Sequence, residues 1–220
     1  MNEVAAPPRA KEPDGQTGHR ARSGQRRDQI LDVALKLFAQ KGMANVTTRQ
    51  IAQAVGISQP SLYAHFRNAD EIGGELCARA FDTLTARMER DADTSATARE
   101  RLVLMGRAYI EFGLDNPDMY RVAFMLEDKK PCPPDPASAN TDLLNDPVLA
   151  SGLRCFSVMH RVLIELVGED GPKALLLAQM TWMHVHGLVS LLIARPEFPW
   201  LDRDVLIDAI LAGLPMLLSH

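Results

Sequence analysis

Apolar residues along this chain recur every three to four positions, the spacing that lines one face of a helix, beginning with Ile30, Ala34, Leu37 and Phe38. Gly42, just after Lys41, supplies a stop for that first helical segment. Thr47 with Gln50 three residues on forms a capping box ahead of Ile51 and Val55, which predicts a short helix over Thr48 to Val55, ended by Gly56. Ser58 caps a third helix that runs to about Phe66 and carries Pro60 in its first turn, where a missing N–H is no loss. Asn68 opens a long helix from Ala69 to about Asp91, on which Leu76, Ala80, Leu84 and Met88 share a face. Further helices are predicted over Thr97 to Leu114, Pro117 to Leu126, Pro147 to Val167, Pro172 to Ala194 and Asp202 to Leu218, with a Pro-rich loop over Glu127 to Asp146. No segment alternates convincingly with period two and there is no internal repeat, so the expected fold class is all-α.

The second and third helices are joined by about three residues with glycine first in the turn, the arrangement of a helix-turn-helix. Ala52 is small where the two helices cross, Gly56 accepts the turn conformation, and Ile51, Val55, Ile57 and Leu62 can fill the space between them. On the third helix Leu62 and Phe66 lie one turn apart and face the core, which turns Pro60, Ser61, Tyr63, Ala64 and Arg67 outward. That outward face is small and polar, as a helix entering the major groove requires if it is to approach base edges. Taken alone, Tyr63 also reads as a half-buried aromatic; beside this face it is assigned a phosphate or thymine-methyl contact.

The stretch Thr47 to Glu71, TTRQIAQAVGISQPSLYAHFRNADE, resembles the DNA-binding signature of the TetR (tetracycline repressor) family, with Leu-Tyr-x-His-Phe at Leu62 to Phe66 as its most specific part. The resemblance is strong over about Arg27 to Ile72. It implies that Arg49, Gln59, Pro60 and Ser61 face bases and that Thr48, Tyr63 and His65 contact phosphate. The family commonly places a phosphate-gripping lysine at the start of its fourth helix, where this chain has Ala69, so Arg67 or the basic N-terminal arm is expected to supply that contact. Asn116-Pro117 followed by Tyr120-Arg121 and Phe124, then Trp182 with His186-Gly187, resembles one C-terminal subgroup of the same family. The implied partners are an inverted-repeat operator in double-stranded DNA, a small-molecule effector and a second copy of the chain.

Charge divides along the chain in a way that fits this reading. The net charge is −4, yet the residues through Arg67 hold ten Lys and Arg against five Asp and Glu, while the remainder holds fourteen against twenty-three. A polyanion should therefore meet the N-terminal third. Residues 1–24, rich in Pro, Gly and Arg without periodicity, are expected to be a disordered arm whose basic end, continued by Arg26 and Arg27, is either solvated or set against DNA phosphate. Residues 25–72 then form the DNA-binding domain and 73–220 a ligand-binding and dimerisation domain. Cys77, Cys132 and Cys155 make neither a CxxC pair nor an even framework, and no signal-peptide core precedes Ile30, so a cytoplasmic protein is expected. Ala174 to Ala194 carries no charge over about the length that spans a bilayer. Gln179, Thr181, His184, His186 and Ser190 inside it favour a buried helix over a membrane span.

No cofactor, metal site or catalytic residue is expected. On a helix His184 and His186 point to opposite sides, and Cys155 and His160, five apart, are poorly aligned and have no neighbouring carboxylate. The alternatives to a regulator are a ligand-binding helical protein without a DNA role and an enzyme. The first should have lost the small outward face of the third helix, which is kept here; the second should show a carboxylate or nucleophile cluster, and none stands out. A largely apolar effector is expected between helices, lined by Met105, Tyr109, Phe112, Phe124, Met159, Trp182 and His186, with Tyr109 and His186 as polar anchors. The apolar helices Ala174 to Ala194 and Val205 to Leu218 are expected to pair with those of a second copy.

Overall fold

Local capping decides where the short helices begin and end. In the computed structural model, which describes residues 15–92, 97–125 and 146–214, Thr47 accepts from the Gln50 amide while the Gln50 side chain accepts from the Thr47 amide, and α2 runs Thr48–Val55. Gly56 closes it at φ 77, a left-handed conformation that a side chain would strain. Ser58 accepts from Ser61 N to start α3, Gln59–Tyr63, with Pro60 in the first turn. This helix is shorter than the expected run to Phe66. The chain leaves it through a tight turn, in which both His65 and Phe66 donate to the Leu62 carbonyl. Each such cap stabilises its helix by about 0.5–2 kcal/mol.

The first helix, α1, spans Gly15–Lys41, so the expected arm over 1–24 is corrected from Gly15 onward. Past Pro13 the segment holds no proline, and its Arg, Gln and Ala residues favour helix enough to carry it across three glycines. Residues 1–14 lie outside the described part. After α3 come α4 (Ala69–Ala92), α5 (Ala98–Asp115) and α6 (Pro117–Tyr120), which widens into a π-helical turn over Arg121–Met125. Then follow α7 (Pro147–Val167), α8 (Pro172–Ala194) and α9 (Arg203–Gly213). The expected loop at Glu127 to Asp146 falls outside the described residues except for Asp146, which caps α7, as does the end of the last helix beyond Leu214.

Two apolar cores form. The head packs Ile30, Leu31, Ala34 and Phe38 of α1 against Ile51 and Ala52 of α2, Leu62 of α3 and the following Phe66. The body packs α5, α7, α8 and α9 around Leu102, Phe112, Tyr120, Leu163, Ala178 and Val189. Fully burying each large side chain contributes about 1.5–3 kcal/mol. α4 belongs to both cores: Ile72, Leu76 and Cys77 lie in the first, and Ala80, Leu84 and Met88 in the second. The packing boundary therefore falls between Cys77 and Ala80, a turn beyond the expected end at residue 72. Val122, on the π-helical turn, also reaches into the head core, and its carbonyl accepts from Cys77 Sγ at 3.5 Å.

Both α7 and α8 are long and apolar enough to cross a membrane. Here each lays one side on the body core, Cys155, Val158 and Val162 from α7 and Ala178, Val185 and Val189 from α8. The opposite side of α8 leaves Leu175, Leu176, Met183 and Leu191 exposed. On α9 Ile207 and Leu211 turn inward, and Val205 is the large apolar residue left outside. Among the described residues, the exposed large apolar side chains of these two helices lie chiefly on α8.

Candidate DNA-reading face and ligand site

All eight residues assigned to DNA stand at the surface of the head, with none buried. Arg49, Pro60, Tyr63 and Arg67 are exposed, while Thr48, Gln59, Ser61 and His65 are half-buried. Leu62 and Phe66 hold this layer from beneath, both essentially inaccessible. Tyr63 is 50% exposed, and its phenol oxygen meets Thr48 Oγ1 at 3.3 Å and accepts from Gln59 Nε2 at 3.2 Å. These bonds, that of Thr48 foremost, hold its pKa below the ordinary tyrosine value. Three side chains from two helices are thereby tied into one polar surface across the turn. Arg67 extends into solvent apart from an ion pair to Glu71 at 3.4 Å, and Glu71 also accepts from the Arg67 amide at 2.7 Å, while Asn68 caps α4 through the Glu71 amide.

Arg27 does something the sequence reading missed. Its guanidinium lies 4.0 Å over the Phe66 ring, donates to the His65 carbonyl and pairs with Glu75. Arg79 then bridges Glu75 at 2.8 Å and Asp28 at 2.9 Å. Arg27 is therefore removed from the expected basic arm and instead clamps α1 and α4 onto the end of the recognition turn. Exposed ion pairs contribute only about 0–1 kcal/mol each, but the cation lying on a buried ring adds to this one.

Of the seven residues assigned to a ligand, four converge. Trp182 Nε1 donates to Tyr109 Oη at 3.1 Å, Tyr109 Oη lies 3.0 Å from Tyr120 Oη, and Tyr120 Oη lies 2.6 Å from His186 Nδ1. Phe124 packs on this group, 5.8 Å from Tyr109 and 4.8 Å from Tyr120 between ring centroids. Burial drives both tyrosine pKa values well above the ordinary range, and it lowers that of His186. Tyr120, absent from the expected lining, is the link between α5 and α8. Only its place beside Asn116-Pro117 hinted at a role, and spacing along the chain cannot reveal a contact made across three helices.

The other three residues do not join this group. Phe112 and Met159 are core residues, and Met105 lines a separate open cleft of about 520 Å³ with Glu89, Arg101, Arg161 and Glu165 at its rim. Cys155 is buried and free, its thiol pushed up to about 11 by burial, and is therefore unreactive near neutral pH. His160 stacks on Phe156 and leaves Nε2 buried without a partner.

A helix-turn-helix head with an exposed polar face, joined through one shared helix to an all-helical body, is the architecture of a bacterial one-component regulator. The chain belongs to the tetR family of bacterial regulatory proteins. Residues 30–75 match that family's DNA-binding part and residues 102–214 match a domain described as tetracyclin repressor-like, C-terminal. It is 39% identical over 77 residues to the HTH-type transcriptional repressor KstR2 of Mycobacterium tuberculosis, covering 35% of this chain and 38% of that protein. It is 25% identical over 192 residues to the HTH-type transcriptional activator FasR of Mycolicibacterium smegmatis, covering 87% and 79%. The transcriptional regulator FadR from Bacillus subtilis, solved in complex with stearoyl-CoA, shares the fold with a TM-score of 0.69 at 19% identity, covering 84% of this chain and 96% of that one. The chain thus spans less than two-fifths of the repressor it matches.

Proposed function

We propose that this protein is a cytoplasmic, homodimeric transcriptional repressor that leaves an inverted-repeat operator when a small, largely apolar molecule binds its body, and that it is neither an enzyme nor a ligand-binding protein without a DNA role. The observation that carries the DNA reading is the surface made by Thr48, Gln59 and Tyr63, hydrogen-bonded together and solvent-facing over a rigid core. Arg49, Gln59, Pro60 and Ser61 then face bases, and Thr48, Tyr63, His65 and Arg67 face phosphate. The family relationship supports this reading, and the repressor named among its relatives supports the sign of control. The stearoyl-CoA held by a protein of the same fold supports an apolar effector. Trp182 and His186-Gly187 support assigning the body to the C-terminal subgroup that carries a similar pattern.

The exposed apolar residues of α8 supply a surface for a second copy, whose two-fold symmetry would match an inverted repeat. Effector binding beside Tyr109, Phe124, Trp182 and His186 reaches the head through Tyr120 and Val122, which sit two residues apart but in different cores. Releasing DNA tenfold requires the effector to favour the non-reading state by only about 1.4 kcal/mol. Apolar metabolites screened by thermal shift, then titrated against the protein bound to its selected DNA fragment, test the switch. A hit should weaken DNA binding and lose affinity in Trp182→Ala. A hit that stabilises the protein, leaves DNA binding unchanged and ignores Trp182→Ala contradicts the proposed route.

A further inference from the structure

The polar chain inside the body has a direction, and the direction defines what its free end can recognise. The indole N–H of Trp182 is a donor only, so Tyr109 Oη accepts from it. Tyr109 must then place its own hydrogen on Tyr120 Oη at 3.0 Å or on His186 Nδ1 at 3.3 Å. Tyr120, buried in the core, has His186 Nδ1 at 2.6 Å as its acceptor. With Nδ1 accepting, the path Trp182 to Tyr109 to Tyr120 to His186 satisfies each hydroxyl once as donor and at least once as acceptor.

The opposite tautomer fails this test. A proton on Nδ1 would turn Tyr120 back toward Tyr109, whose oxygen would accept from both Trp182 and Tyr120. The Tyr109 hydrogen would then face two donors and have no acceptor inside the core, which is the costly arrangement for a buried hydroxyl. Burial of the ring disfavours the imidazolium, so the choice lies between the two neutral tautomers. A neutral imidazole whose Nδ1 accepts carries its proton on Nε2. No described residue partners that nitrogen, and it is not sealed in the core.

We infer that His186 Nε2–H is the recognition group of the body, and that the effector presents a hydrogen-bond acceptor without a donor, such as a carbonyl, thioester or carboxylate, on an otherwise apolar frame. The inference rests on the ligand site proposed above and specifies its chemistry. Phe124, Trp182 and Tyr120 surround the imidazole with aromatic carbon, at ring separations of 6.1, 6.1 and 5.7 Å, so the acceptor must arrive on an apolar carrier. An ammonium or other donor-only head would set donor against donor at His186 Nε2 and be rejected in favour of an acceptor.

The test uses the full chain with nitrogen-15 histidine and three probes of one chain length: 2-octanone, octane and octylammonium. Two-bond proton–nitrogen spectra report which nitrogen of His186 is protonated before any probe is added, and titration then gives each affinity. The expected result is a proton on Nε2, a shift of that nitrogen on adding 2-octanone, and at least tenfold tighter binding of 2-octanone than of the other two. His186→Phe should erase that preference. His186→Gln, whose carbonyl can accept from Tyr120 while its amide still donates, should retain it. A proton on Nδ1 overturns the inference and leaves ligand binding in the site untouched. Octylammonium binding as well as 2-octanone, a preference that survives in His186→Phe, or its loss in His186→Gln overturns it as well. If none of the probes binds at these rings although the proton is on Nε2, the ligand-site reading fails and the inference falls with it.

Discussion

In the head, the hydrogen-bonding side chains of α2 and α3 lie at the surface and everything beneath them is apolar: Tyr63 is half exposed, while Ile51, Leu62 and Phe66 are almost fully covered. In the body the relation is reversed, with Tyr109 and Tyr120 buried in the core and bonded to His186, and leucines of α8 left outside. A surface that must meet hydrated DNA gains from exposed donors on an unyielding base, whereas a site that must distinguish one small molecule gains from a few polar atoms in apolar surroundings. Apolar residues left outside the body have a different meaning, since an exposed face of that kind is usually covered by a partner. The two regions are one mechanical unit because α4 runs through both cores.

The contrast can be broken first at the base of the reading face. Phe66→Ala empties a buried site and removes the ring beneath Arg27, and should cost about 3–5 kcal/mol. Its thermal transition should fall steeply, and amide exchange should rise first in α1 to α3. A loss below about 1 kcal/mol would mean that the head is not the rigid base described here. A smaller effect is expected inside the body. A Cβ on Gly113 would overlap Val189 Cγ1 and come within 2.8 Å of the Tyr120 ring, so Gly113→Ala should destabilise by about 1–3 kcal/mol. It should also move Tyr120 off His186, visible as a changed tyrosine environment in the near-ultraviolet spectrum. Unchanged denaturant midpoint and spectrum would show that α5 and α8 are free to separate there.

How far each region was legible follows from how its contacts are spaced. Thr47 with Gln50, Gly56 and Ser58 set the head through contacts a few residues long, so the motif, its turn and its outward face could all be read from order alone. Arg27 could not, because Phe66 lies 39 positions and Glu75 48 positions away. The helical part of the expected arm was obscured by its three glycines, Gly15, Gly18 and Gly24, which local propensity outweighs. In the body, prolines opening several helices marked the elements but not which aromatic residues meet. Tyr109, Phe124, Trp182 and His186 converge, Met105 goes to another cleft, and Tyr120 joins only because α6 folds back between α5 and α8.

The smallest expected effect concerns acid. Burial holds the His186 pKa below its ordinary value, so between the two values the unfolded chain binds more protons than the folded one. The stability tied to a neutral His186 is complete above about pH 6.5, declines as the pH falls toward the folded pKa, and levels off below it. Denaturant midpoints from about pH 8 to about pH 5 should fall more for the natural chain than for His186→Gln. Parallel profiles would mean that His186 titrates alike in both states.

The central claim, that the α2–α3 surface reads DNA sequence, is tested most directly by gel shift on genomic fragments selected with the full chain, comparing selected and random DNA for the natural protein, Arg49→Ala and Tyr63→Phe. The account predicts salt-sensitive binding with a clear preference for the selected fragment. Arg49→Ala should lose about 1–3 kcal/mol chiefly on that fragment, and Tyr63→Phe should weaken both DNAs more evenly. Equal affinity of the natural protein for selected and random fragments, or an Arg49→Ala variant that discriminates as well as the natural chain, would contradict it.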